Sequence, residues 1–295
     1  MLSDTGSLRT PDGITLHLRR WAADETAVPA RGMVQIVHGL GEHLGRYEAL
    51  AGALNRAGWH VAGHDQRGHG RSTGPRGDTG QPQALLTDLS AVMDHLRGEG
   101  RRFGERHVLL GHSMGGLVAA RFVAENLAGN ARRWAREVDG LVLSSPALAT
   151  GLKWPQRALL RLLHPLVPAL RLGNGLKPEW ISRDPEVVRA YIADPLVHDR
   201  VTPRLVRFIV DEGRLVQRRA ARWRTPTLLL WAGADRCVAP AGSAAFAAAA
   251  PREVLTGQEL PGLFHEIFNE PGREQVTAQL LHWLQRFHQD AEAQA

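Results

Sequence analysis

Between His107 and Leu127 lies the stretch that most limits what this chain can fold into. An apolar run, Val108-Leu109-Leu110, passes into Gly111-His112-Ser113-Met114-Gly115-Gly116, and an apolar stretch of helical spacing, Leu117 to Leu127, follows directly. A strand that becomes a helix within so few residues must turn sharply. Strand and helix backbones then pack closely, so the positions two before and two after Ser113 must lack bulk, and both are glycine. The continuous apolar run suits a strand buried on both faces, which is the condition of a parallel sheet covered by helices.

The rest of the chain repeats that rhythm. With that strand, His107–Leu110, others are expected at Ile14–Trp21, Met33–Val37, Trp59–Gly63, Gly140–Leu143, Thr227–Trp231 and Glu253–Leu255. Between them, Tyr47, Leu50, Ala51 and Leu54 share one helix face, as do Leu85, Leu89, Val92, Met93 and Leu96. Val276, Leu280, Trp283, Leu284 and Phe287 mark a last helix, with Pro271 near its start, and Ala244–Ala250 is helix-like. The alternation predicts an α/β fold with a mostly parallel central sheet and helices on both faces.

From about Ala147 to Arg224 the rhythm breaks. Seven prolines separate short helical stretches, and no good strand pattern occurs. This segment reads as a helical cap inserted into the sheet, dividing the chain into a core of residues 1–146 and 225–295 and a cap of 147–224. It holds 15 Lys/Arg against 7 Asp/Glu, a local +8 that exceeds the +6 of the whole 295-residue chain. All but Lys153 and Lys177 of the cations are arginine. No nucleic-acid module accompanies them, so no nucleic-acid partner is expected. Within the cap, Trp154, Leu159, Leu160, Leu162, Leu163, Leu166, Val167 and Leu170 interleave with Arg157, Arg161 and Arg171. That pattern fits the wall of an acyl-chain tunnel, and also weak peripheral contact with a membrane surface.

Hydrophobic residues at 43% and charged residues at 22% exclude a disordered chain. The single cysteine, Cys237, excludes an intramolecular disulfide and a multi-cysteine metal centre. Met1 to Thr10 is polar and lacks the apolar core of a signal peptide, and no apolar run approaches about 18 residues. These features point to the cytoplasm.

The chemistry gathers at strand ends. Ser113 stands at the sharp turn with its hydroxyl projecting from the sheet edge. A serine hydroxyl is a weak nucleophile and needs an adjacent base, itself oriented by a third group. His265, in Gly262-Leu263-Phe264-His265-Glu266, lies in a loop between the last strand and the last helix and is the natural base. His282 and His288 fall inside that helix, a poor place from which to reach the serine. Asp235, in Gly233-Ala234-Asp235-Arg236 after the strand Thr227–Trp231, is the natural acid. The order serine, acid, histidine fits this kind of turn. An oxyanion hole is expected from the N–H of Met114 and from the loop His38-Gly39-Leu40-Gly41-Glu42-His43, through the N–H of Leu40. His38 reads as structural. Cys237, two residues after Asp235, reads as a small half-buried hydrophobe.

With these residues placed, the sequence resembles the α/β-hydrolase superfamily, in particular its monoacylglycerol lipase and lysophospholipase-like group, also called the serine aminopeptidase S33 group. The matching segments are His38 to His43 with Arg46-Tyr47, Gly63 to Ser72, Gly111 to Gly116, Asp194 to Val197, Gly233 to Asp235, and His265-Glu266. The resemblance implies nucleophile Ser113, acid Asp235, base His265, oxyanion donors Leu40 and Met114, and polar contacts to a glycerol head from Arg46 and His112. It implies no catalytic role for His64, Asp65 or His69. The position of a cap glutamate that contributes in monoglyceride lipases falls on Val187, with Glu186 adjacent. Hydrolysis of small acyl esters or lipids through an acyl-enzyme is the implied reaction, with no metal or organic cofactor required. A simpler carboxylesterase, a lysophospholipase, an S33-type peptidase or amidase, and a non-catalytic binding protein of the same fold remain the alternatives.

Overall fold

The computed structural model describes residues 2–24, 26, 28–98 and 106–292. In chain order the elements are β1 (Leu2–Arg9), β2 (Thr15–Ala22), β3 (Gly32–Val37), α1 (Glu48–Arg56), β4 (Trp59–His64), α2 (Ala84–Gly98), β5 (His107–His112), α3 (Ser113–Glu125) and β6 (Gly140–Ser144). They continue with α4 (Trp154–Leu166), β7 (Leu172–Gly173), α5 (Pro185–Ala193), β8 (Arg200–Val201), α6 (Pro203–Arg219), β9 (Thr227–Ala232), α7 (Pro240–Ala249), β10 (Leu255–Leu260) and α8 (Arg273–Glu292).

Eight strands form one sheet in the order β1-β2-β4-β3-β5-β6-β9-β10. The pairings β1–β2 and β2–β4 are antiparallel and the rest are parallel. Every residue of β3, β4, β5, β6 and β9 is buried, as the unbroken apolar runs require of strands covered on both faces. One face packs on α1 and α8 through Leu50, Leu54, Leu280 and Leu284. The other packs on α2, α3 and α7 through Leu86, Leu89, Phe122 and Phe246. Each such buried side chain contributes about 1.5–3 kcal/mol relative to exposure.

The order reverses at β3: the chain crosses to β4 on one side, and β5 pairs on the other. Above that point the loops after β3 and β5 diverge and leave a crevice at the carboxyl ends of the strands, where open α/β sheets bind their ligands.

The structure departs from the sequence expectations at several points. The polar N-terminal segment is a strand, β1, paired along its length with β2. The last strand is not Glu253–Leu255 but Leu255–Leu260, whose middle four residues are exposed. As an edge strand β10 needs little apolar content. A short antiparallel pair, β7 with β8, lies within the segment expected to be wholly helical. And α6 packs on α3, sending Leu205, Phe208 and Val216 into the same apolar cluster as the sheet-covering helices. No helix among the described residues is long and apolar enough to cross a membrane.

Candidate active site

Ser113 is the first residue of α3 and has φ +54°, the left-handed region that side chains other than glycine avoid. The turn is tight enough that a Cβ on Gly111 would lie 2.5 Å from the carbonyl oxygen of Gly115. A Cβ on Gly115 would run into the carbonyls of Val37 and His38, and one on Gly116 would lie 2.8 Å from Pro146 Cβ. Glycine at these positions is therefore a packing requirement of β3, β5 and α3 together.

His265 follows β10 and Asp235 follows β9, which are adjacent in the sheet. His265 Nδ1–H donates to Asp235 Oδ2 at 2.6 Å. The other carboxylate oxygen, Oδ1, accepts the N–H of Cys237 at 2.8 Å and of Val238 at 3.0 Å, which fixes its orientation. Burial alone would lower the His265 pKa, but the Asp235 carboxylate beside it overrides that effect and raises it. Burial would likewise raise Asp235, yet the imidazole and the two backbone N–H groups bring it below its usual value.

Ser113 and His265 line the same pocket, of about 40 Å³, together with Gly39, Leu40 and His112. Met114 is the second residue of α3, so its N–H lies in the first turn, where no intrahelical acceptor exists. Leu40 sits in the loop after β3. That loop is held from below: Glu42 Oε1 accepts Gly39 N–H at 2.6 Å and Tyr47 O–H at 2.7 Å.

The residues nominated for a polar head group separate here. His112 lines the pocket, its ring 4.7 Å from that of His265. Its Nδ1–H donates to the carbonyl of Ser144 at 3.1 Å, and burial brings its pKa down to about 4, so the ring is neutral. Arg46 lies beneath, outside the lining. Its guanidinium spans two buried carboxylates, donating to Glu266 at 2.5 and 2.8 Å and to Glu42 at 3.0 Å. Burial would raise Glu42, but Arg46 and the nearby imidazoles and N–H hold it down to about 2. Arg46 thus supports the pocket floor, and of this cluster Glu42 and Glu266 reach the pocket.

His38, Asp65 and His69 serve the scaffold. His38 Nε2 accepts Gln66 N–H at 2.8 Å, while the Asp65 carboxylate accepts the N–H groups of Leu44 and Arg71, each at 2.8 Å. Asp235, Cys237 and His265 are the one group of three potential metal-ligating side chains among the described residues, and the hydrogen bonds just described already engage the Asp235 oxygens and His265 Nδ1.

The inserted segment roofs the pocket with Leu176, Pro178, Ile181 and Tyr191. It is tied down by His43 Nε2 to Asp194 at 2.8 Å, by His198 N–H to Gly41 O at 2.9 Å and by Glu266 N–H to Ile181 O at 2.8 Å. Tyr191 lies over Arg46 at 4.8 Å and carried no signal in the sequence. Glu186 is exposed on α5 and paired with Arg189, away from this lining.

The profile described as serine aminopeptidase, S33, matches residues 28–272. The chain belongs to that family. It is a hydrolase of the lipase and esterase type. Among its relatives, the monoacylglycerol lipase of Mycolicibacterium smegmatis is 33% identical over 280 residues, 92% of this chain and 93% of that protein. Phospholipase YtpA of Bacillus subtilis is 32% identical over 260 residues, 87% of this chain and 94% of that one. The crystal structure of the Paleococcus ferrophilus monoacylglycerol lipase superposes with a TM-score of 0.80 at 34% identity, over 92% of this chain and 99% of that one.

Proposed function

We propose that the chain cleaves carboxylic esters of medium and long acyl chains, monoacylglycerols and lysophospholipids foremost, by a Ser-His-Asp acyl-enzyme mechanism. The observation that carries this reading is the convergence of Ser113, in its left-handed turn, and the Asp235-bound ring of His265 on one pocket.

Ser113 Oγ attacks the ester carbonyl carbon as His265 Nε2 takes its proton. Asp235 keeps Nδ1 protonated and stabilises the imidazolium that forms. The N–H groups of Leu40 and Met114 receive the oxyanion, each donor worth on the order of 3 kcal/mol in the transition state. His265 then hands its proton to the leaving alcohol. Water, deprotonated by the same ring, attacks the acyl-enzyme carbonyl; the C–Oγ bond breaks, His265 returns the proton to Ser113 Oγ, and the carboxylic acid leaves. His112 presents a neutral ring to the alcohol side, and Arg46 acts through Glu42 and Glu266. No step calls for a metal or organic cofactor.

The names of two relatives, monoacylglycerol lipase and phospholipase, support lipid esters as the substrate class. The pocket supports a gate as well. At about 40 Å³ it holds little more than a water or two, whereas ligand pockets span about 300–1,000 Å³. The roof formed by residues 176–191 must shift to admit an acyl chain, and residues 147–224 act as a cap. The apolar outer face of α4 supports contact of that cap with lipid.

An amidase reading would require a carboxylate for the substrate ammonium. Glu42 and Glu266 reach the pocket, but Arg46 already pairs with both. A panel of p-nitrophenyl esters, monoacylglycerols, lysophospholipids and aminoacyl amides tests the reading. Higher kcat/KM on the lipid esters is expected, and preference for the amides overturns it.

A further inference from the structure

Residues of α4 turn about 100° each around the helix axis. Trp154, Leu159, Leu162 and Leu166 fall on its outward side, exposed by 80%, 53%, 59% and 69%. Leu160 and Leu163 turn inward and are half-buried. Arg157 and Arg161 occupy one border between the two sides. An apolar face flanked by arginines is the build of a helix that lies in a membrane interface.

Behind that border is a hollow of about 330 Å³ between α4 and α6. Ile209, Val210 and Leu148 supply its apolar lining, and Arg157, Arg214 and Arg218 its charge. No carboxylate is among the residues that line it. Neighbouring arginines of α6 are paired: Arg204 with Asp78, Arg207 with Asp211, Arg219 with Glu125. Arg214 and Arg218 make no ion pair among the described residues, and both are exposed. Arg157 spends only its Nε–H, on the carbonyl of Leu152 at 3.0 Å.

We propose that this hollow binds the phosphate of an anionic phospholipid headgroup while the outer face of α4 enters the bilayer interface. A planar guanidinium fork matches phosphate oxygens, and three arginines lining one hollow without a carboxylate in that lining suit a bound anion. Charge complementarity selects the partner: the segment from Ala147 to Arg224 holds 15 Lys/Arg against 7 Asp/Glu. Docking would bring the pocket roof to the surface that supplies the substrate. The inference deepens the lipid-ester reading, yet its test does not depend on catalysis.

The test uses Ser113→Ala protein, sedimented with vesicles of phosphatidylcholine alone or mixed with phosphatidylglycerol. Binding should favour the anionic vesicles and weaken with salt. Arg214→Gln and Arg218→Gln should each lower the anionic affinity about fivefold, the worth of one arginine near a charged bilayer. Leu162→Ser should lower binding to both vesicle types. In the active background, the two arginine variants should hydrolyse p-nitrophenyl acetate at the unaltered rate. Equal partitioning onto both vesicles, full anionic binding by the double arginine variant, or equally tight binding of free glycerol phosphate overturns the proposal. Ester hydrolysis without vesicle binding would sink the docking site alone, and vesicle binding without ester hydrolysis would sink the enzymatic reading alone.

Discussion

Ser113 keeps its left-handed backbone because β3, β5 and α3 leave no other path, and strain of this kind costs on the order of 1–3 kcal/mol. Ser113→Gly should therefore abolish turnover while raising stability to urea by about 1 kcal/mol. A destabilised variant would show the turn to be unstrained. In the proposed mechanism His265 must be neutral to accept the serine proton, and its raised pKa then sets the acid limb of activity. The kcat/KM profile should fall as pH drops through a midpoint above the ordinary histidine value of 6.5. A midpoint below it would mean that Asp235 does not govern the ring. Asp235→Asn and His265→Ala should each lower kcat by at least about a thousandfold. Arg46 is a different case. Arg46→Ala leaves two buried carboxylates facing one another and should cost about 3–5 kcal/mol of stability, and lysine, lacking the fork, should not restore it. Unchanged melting of Arg46→Ala would remove it from the pocket floor.

At the scale of elements, the roof over the pocket makes a directional claim. Ile181→Ala widens the mouth while keeping the backbone carbonyl that Glu266 N–H uses. It should raise kcat/KM for a long-chain ester relative to a butyrate, and an equal change for both would place the acyl path elsewhere. The elements themselves were unevenly legible in the sequence. Buried parallel strands announce themselves, since β5 and β9 are unbroken apolar runs ending in glycine-bearing turns that present Ser113 and Asp235. The edges do not. β1 is polar and β10 reads Leu-Thr-Gly-Gln-Glu-Leu, because a strand open to water on one side needs no apolar signature. The Glu42–Arg46–Glu266 cluster was hidden for another reason. Arg46 and Glu266 lie 220 residues apart and meet only once the ends of β3 and β10 lie at one rim of the sheet. The family resemblance makes Arg46 a contact to substrate, and the fold sets its guanidinium on Glu42 and Glu266. Tyr191 depends on how the inserted segment lies over the strands, which local pattern does not encode.

Across the whole molecule, burial shapes the response to acid. His64 and His107 are pushed down to about 3 and His112 to about 4, chiefly by desolvation. In the unfolded chain these rings take up protons near 6.5, so between that value and their folded pKa the unfolded state binds more protons and stability falls with falling pH. The Asp235 carboxylate adds to the loss only at still lower pH, below its ordinary value. Urea midpoints should therefore drop by a clear margin between pH 7 and pH 4.5, and a flat profile would mean that the rings are solvated. The proposed mechanism singles out one hydroxyl, Ser113, as the reactive serine. Treating the intact protein with a fluorophosphonate and mapping the adduct by mass spectrometry tests this most directly. A single adduct on Ser113, absent from Ser113→Ala and much slowed in His265→Ala, is the outcome expected. An unlabelled folded protein, or an adduct on another serine, would contradict it.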